Sequence, residues 1–495
     1  MRRPCTLARA LGLAALLVLG GCAGTGEYFR DAGAPPAPGT LTLETWPNKE
    51  QWTGVVFNGD KIGFTRRVLR PAADGSDRWE IESEASMRIR FLGVDKRINL
   101  RALDRVRPDL TLEEFHYRQD IDGSPLQVDG RADGKRLTYA TVASGSREEQ
   151  TFELTQPLYP AAALSYLPAI RGMAVGRSAR YLVFEGESQK LDQAEIEVNA
   201  WESSTLFEGK AFRLTTRLLG MATTTWMTPD GRPLLERAMN GVLISALEDE
   251  ATARRYLVEA MLNKRDALVD FTLLRAGPLD DPRRVSRMEI TVSGVPASFE
   301  VPSEGGQQCV RRAKELACVV DRATPLAQGD PAKYLRPTLA APSTLGEITQ
   351  LSRGIVGNAQ GENEKIARIL LWMDVNIAKE AVDSFTAVDV LRERRAECQG
   401  HAYLFAALAR AAGIPVRVVN GFVYSGEHGG FLYHAWNEAW IAGRGWLPVD
   451  ATFGQPVADA THLKLIEGES SGDLLPLVTL LGKIQISSVR AVARR

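Results

Sequence analysis

Cysteine is scarce. Five in 495 residues are too few for a disulfide-built scaffold. Histidine is as rare, also with five, and only His116 lies in the first half of the chain, where a lone histidine reads as structural. Charge of one sign is lacking: 60 basic residues meet 61 acidic ones, so no strong field for nucleic acid exists. There is no internal repeat, phosphate-binding Walker loop, HExxH helix or dinucleotide fingerprint, and no cofactor is expected. A 44% hydrophobic and 24% charged composition is ordinary for globular proteins. It excludes disordered, collagen-like and multi-spanning membrane chains. The length leaves room for several domains.

Arg2, Arg3 and Arg9 precede an apolar run from Leu11 to Leu19, too short to span a bilayer as a helix. The run ends in Leu19-Gly20-Gly21-Cys22, which resembles the bacterial lipobox. That resemblance implies a signal peptide over 1–21 and a lipidated Cys22. It also implies a site in the bacterial cell envelope, at the periplasmic side of the outer membrane, with the lipid as membrane partner. The Gly/Pro-rich stretch 22–45 reads as a flexible tether. In such a compartment Cys309 and Cys318 are either a small disulfide loop or two buried thiols. No second close Cys/His pair accompanies them, so no metal site is expected. Cys398 is then the odd thiol.

The expected fold class is α+β. Residues 46–265 alternate apolar and polar side chains, as in Trp79-Glu80-Ile81-Glu82 and Phe212-Arg213-Leu214-Thr215. Turn signals such as Asn58-Gly59 and Asp122-Gly123 separate these runs. This predicts a large antiparallel β-rich domain of long hairpins. Residues 266–335 read as a mixed connector, and 336–490 as the domain that carries the chemistry.

In that last domain an amphipathic helix is predicted over Glu364–Ile377, and a shorter one from Ala387 to Arg394. Arg395-Ala396-Glu397-Cys398-Gln399-Gly400-His401 then leads into an alanine-rich helix stopped by Gly413 and Pro415. Cys398 therefore sits where free N–H groups and the helix dipole favour a thiolate, with Gly400 allowing close approach of a ligand. A strand follows from Val416. Next come the loop Ser425–Gly430 and the strand Tyr433–Ile441, with His434, Trp436, Glu438 and Trp440 on one face. After a turn at Gly443-Arg444-Gly445 the chain reads Trp446-Leu447-Pro448-Val449-Asp450. A hairpin of these strands brings His434 near Asp450, and a helix on the sheet brings Cys398 to the other side of the imidazole. A thiolate attacks a carbonyl carbon, an imidazole moves the proton, and a carboxylate holds the ring. Such a thiol is expected to rest at a pKa lowered to about 3–7.

Four blocks carry a resemblance: Arg395-Ala396-Glu397-Cys398-Gln399, Arg410-Ala411-Ala412-Gly413-Ile414-Pro415-Val416-Arg417, His434-Ala435-Trp436-Asn437-Glu438 and Trp446-Leu447-Pro448-Val449-Asp450-Ala451-Thr452. Their order and their spacings, 36 residues from Cys to His and 16 from His to Asp, resemble the bacterial transglutaminase-like superfamily. The resemblance implies a papain-like domain in which Cys398 is nucleophile, His434 base and Asp450 orienter. Ala396 and Ala451 depart from the glycine and proline usual there. His401, Trp372, His428, Glu427 and the arginines 392, 394 and 395 are lesser candidates for shaping or charging the cleft. The expected function is a lipid-anchored thiol enzyme acting on peptide or protein substrates, with envelope peptides as candidates. The alternative is an inactive tethered scaffold.

Overall fold

The computed structural model describes residues 28–39, 41–91, 94–256 and 266–493. The signal expected over 1–21 and the lipidation expected at Cys22 lie outside the described residues. The segment expected as a flexible tether (22–45) is, from Phe29 onward, fastened to the body. Phe29–Asp31 is a strand beside Lys190–Ser204, Phe29 stacks on Trp226 at 4.4 Å, and Leu43 is buried. Apolar side chains among the glycines and prolines are the cause.

The front half is one sixteen-stranded sheet. Strands from Glu50 to Glu153 form an antiparallel meander, and strands from Ser178 to Glu248 form another. The two join where Leu243–Glu248 pairs with Glu50–Phe57. Hairpins turn at Asn58-Gly59 and Asp122-Gly123, where both residues have positive φ. That is the two-residue turn whose twist suits paired strands. The sheet curls on itself. Phe184, near one end, meets Phe115 at 4.9 Å and Tyr139 at 5.2 Å, near the other. Tyr117 lies so close over Gly186 that a Cβ there would stand 1.8 Å from its ring. Leu69, Trp79 and Ile81 share a core with Phe212, Leu214 and Met227 from the far wall.

The back half is α+β. The helices Gly346–Val356, Gly361–Asn376, Ala387–Glu393 and Cys398–Ala411 share one core with Val416, Val418, Ala435, Ala439 and Val449 of a five-stranded sheet. Gly430–Ile441 runs inside that sheet, between Val416–Ser425 and Gly445–Val449. The region expected as a connector is ordered in its own right. Val285–Ser293, Gln307–Arg312 and Glu315–Asp321 form a sheet completed by Gln485–Ala493. It packs on Tyr424, Phe431, Leu463 and Leu465. Cys309 and Cys318 face each other in register and are joined by a disulfide. Among the described residues no helix is long and apolar enough to cross a membrane.

The halves are pinned together by polar contacts. Lys96 pairs with Asp383 at 2.6 Å, the Asp383 amide donates to Asp122, and Ser144 bonds Asp389.

A buried carboxyl makes the front sheet sensitive to pH. Asp104 accepts from the Tyr117 hydroxyl at 2.5 Å. Burial pushes its pKa to about 7, against that bond and Arg67. The native state therefore holds a proton that the unfolded chain has released, and stability falls as pH rises from 4 to 7. Asp104→Asn should remove that slope. Between pH 5 and 8 wild type should lose about 2–3 kcal/mol relative to the variant in denaturant titrations. Parallel curves would show that Asp104 stays ionised.

Candidate active site

Cys398 is the first residue of its helix. Glu397 is the N-cap, and its carboxylate accepts from the Gln399 amide at 3.1 Å. The helix from Gly400 to Arg410 is buried throughout, as its alanine-rich sequence demands. The Asn437 side chain ties it to the central strand by donating to the Ala402 carbonyl at 3.1 Å. That strand presents the Ala435 N–H to the Cys398 sulfur, so the thiol lies beside the residue next to His434. Gly400 does not open the backbone to a ligand as expected; the space of its missing Cβ is filled by Ala396, 2.6 Å away.

His434 is buried. Its Nε2 stands 2.9 Å from Asp450 Oδ2, and its ring stacks on Phe453 at 5.0 Å. Asp450 follows the strand Gly445–Val449 and has no exposed surface. Its other oxygen accepts from the amides of Thr452 (2.7 Å) and Phe453 (3.1 Å). Burial alone would raise its pKa; the imidazoles of His434 and His462 overcome this and hold the carboxyl well below the usual range.

His462 escapes sequence reasoning. Its Nε2 is also 2.9 Å from Asp450 Oδ2, while its Nδ1 faces the Asp459 carbonyl at 3.0 Å and carboxylate at 3.4 Å. Acceptors face both nitrogens, an arrangement that favours the doubly protonated ring. Burial opposes that charge, and the bonds to Asp450 and Asp459 raise the pKa regardless. Asp459 is held in turn by Arg283 at 2.9 Å and by Gln455. The one available signal was a fifth histidine just beyond Asp450, with no recognisable spacing. His434, Asp450 and His462 also bring one ligating atom each within 4.8 Å, the makings of a cation site. A metal there would have to displace the His462 proton first.

The thiol departs from expectation. The depressed pKa read from the helix start is not what the structure holds. Burial and the Glu397 carboxylate raise it well above the usual thiol value, against the Ala435 N–H. Cys398 Sγ donates to Glu397 Oε2 at 3.5 Å. Glu397 is itself pushed up to about 7 by burial and by Asp383. His401 is buried one turn on, with Nδ1 on the Glu397 carbonyl at 2.9 Å and Nε2 without a partner. Trp372 packs on the helical core with Arg394 over its ring. His428 bonds Ser425 in the loop with Glu427 exposed beside it, Arg395 pairs with Glu380, and Arg392 approaches Asp389. None of these joins the histidine–aspartate cluster.

Residues 349–451 match the model of the transglutaminase-like superfamily, so a domain of that kind occupies the back half. Kyphoscoliosis peptidase from Mus musculus is 30% identical over 134 residues, which is 24% of this chain and 20% of that protein. The Homo sapiens protein is 29% identical over the same length. This chain thus spans about a fifth of these curated relatives. Two solved structures are remotely similar. One, titled as a candidate cysteine protease from Cytophaga hutchinsonii, has 18% identity and a TM-score of 0.28 over 42% of this chain and 88% of its own. The other, a β-barrel-like protein of a domain of unknown function from Brucella abortus, has 8% identity and a TM-score of 0.33 over 40% and 95%. Neither score bears on the fold.

The contact between thiol and carboxylate is testable. Glu397→Gln should speed iodoacetamide alkylation of Cys398 at pH 8 by roughly 3–10-fold, because an anion beside the thiolate is gone. At pH 5.5 wild-type Glu397 holds its proton and the two rates should converge. Equal rates at both pH values would show that Glu397 does not act on the thiol.

Proposed function

We propose that this protein is a papain-like thiol enzyme that cleaves amide or peptide bonds, or transfers their acyl group. Cys398 is its nucleophile, His434 its base and Asp450 the orienter, and a lipid on Cys22 holds it in the bacterial envelope. The observation that carries the reading is the 2.9 Å bond from His434 Nε2 to buried Asp450, beside a strand whose Ala435 N–H meets the Cys398 sulfur. That bond fixes the ring and leaves Nδ1 for the thiol. Because burial raises the thiol, the proton moves to His434 as the sulfur attacks, rather than before. The carbonyl carbon gains the C–S bond, and first-turn N–H groups of the helix stabilise the oxyanion. The protonated imidazole returns its proton to the departing amine. Water is the favoured second nucleophile. The mouse and human relatives are named peptidases, which agrees with this chemistry.

A second reading has one observation in its favour. A half-buried thiol bonded to a carboxylate is a poor nucleophile, as an inactive tethered scaffold would have. Alkylation of Cys398 by iodoacetamide against pH, in wild type and His434→Ala, decides between the two. Wild type, though slower than a free thiol near neutral pH because its pKa is raised, should lose most of its remaining rate in the variant, where no imidazole takes the proton. A slow rate indifferent to His434 would support the scaffold.

Once a turnover assay is in hand, Cys398→Ala should abolish activity, and Asp450→Asn should cost about 10²–10⁴-fold in kcat. Retention of most activity in Asp450→Asn would remove the aspartate from the mechanism. His462→Gln keeps a donor toward Asp450 and removes the charge. Asp450, its charge no longer offset, should then favour the protonated form of the ring it orients. The acidic limb of the pH–rate profile should move to higher pH; lower activity at an unmoved limb would mean packing alone.

A further inference from the structure

The curled sheet is not filled by its own side chains. Between it and the transglutaminase-like domain lies a chamber of about 1080 Å³, at the upper end of the range of ligand sites. Apolar side chains from both walls line it, among them Leu100 and Met227 from the sheet and Phe385 from the domain opposite. Glu397 and Gln399, the neighbours of Cys398 on either side, lie in the same wall. The space therefore runs from the interior of the sheet to the start of the helix that carries the thiol.

Its charge is one-sided. Among the described residues, eight carboxylates line the chamber against the single cation Lys190. Lys96 and Arg410, just behind the wall, pair with Asp383 and Glu469. Counting those two cations as well, the wall remains five more negative than positive. Glu397, half-buried in the wall, is pushed up to about 7 by burial and by Asp383, against the pull of Lys96.

Two buried polar groups in the wall are unsatisfied. Gln119 Nε2 and Ser384 Oγ have no hydrogen-bond partner, though their residues are only 7% and 8% exposed. A buried polar group left without a partner costs free energy that a ligand can recover. Gln119 Nε2 is a donor and a peptide carbonyl is its natural complement. Apolar surface, surplus negative charge and free donors together describe an extended peptide with basic and apolar side chains.

We propose that this chamber binds a lysine- or arginine-bearing, partly apolar peptide segment and leads it to Cys398. The delivery step rests on the thiol-enzyme reading above; the binding step does not. The curled sheet then selects the substrate, and its acidic wall rejects acidic peptides by like-charge repulsion. Binding strengthens as pH rises through 7 and Glu397 in the wall ionises, and weakens with added salt.

The test uses the purified Cys398→Ala chain and two fluorescein-labelled peptides of equal length, one alternating lysine with leucine and one glutamate with leucine. Fluorescence anisotropy should show the lysine peptide binding at least about tenfold tighter. Glu187→Gln with Glu236→Gln should weaken it about tenfold, while Glu300→Gln with Glu393→Gln, exposed and outside the chamber wall, should not. A benzophenone-bearing lysine peptide needs no wall substitution, and its crosslinks should map to residues 214–227 and 383–399. Equal affinity for the two peptides, or crosslinks confined to the outer surface, would overturn the proposal. Alkylation of Cys398 in wild type reports separately. A reactive, His434-dependent thiol with no peptide preference sinks the chamber and spares the enzyme; an inert thiol with tight lysine-peptide binding does the reverse.

Discussion

One carboxylate organises the back half of the molecule. Asp450 has no contact with solvent, yet it stays ionised because four donors converge on it: two imidazoles on one oxygen and two backbone amides on the other. A buried charge with that many partners is a strong geometric constraint, since losing any partner leaves uncompensated charge in low dielectric. It fixes the end of the strand Gly445–Val449 and the turn through Phe453. It also fixes the return of the chain to His462 and the orientation of the His434 ring. Arg283 and Asp459 extend the same network to the sheet around Val285, which explains how a region remote in sequence supports the site.

The elements that carry Cys398, His434 and Asp450 were legible in the sequence because their signals are local. Cys398 stands before an alanine-rich helix, His434 in an alternating strand, and Asp450 after a tight turn; each is readable from fewer than fifteen neighbours. The hairpins of the front half were legible for a similar reason. Asn-Gly and Asp-Gly pairs with positive φ encode their own turns. What was not legible depends on partners distant in the chain. The C-terminal strand Gln485–Ala493 completes a sheet begun at Val285, and no local pattern announces that pairing. His462 gains its meaning from a carboxylate that folds over it. The thiol's burial, which reverses the expectation from the helix dipole, comes from packing and from Glu397 rather than from the helix itself.

A helix start supplies partial positive charge worth less than a few kcal/mol and fading within a turn. The desolvation of a half-buried sulfur and a carboxylate 3.5 Å from it act over the same distance with larger magnitudes. The second pair wins, so the resting sulfur is a thiol. In the proposed reaction charge separation is postponed to the moment of attack, when the imidazole takes the proton.

The position of Glu397 links the two halves of the protein. It caps the helix, contacts the sulfur and faces the chamber, so whatever occupies the chamber alters the charge felt by the thiol. A cation brought near Glu397 neutralises the group that most opposes a thiolate after burial itself. An acidic occupant would strengthen that opposition. In the proposed reaction, selection of the proposed ligand and activation of the thiol are one electrostatic event at a single side chain, and the curled sheet takes part through the charge it gathers around that carboxyl.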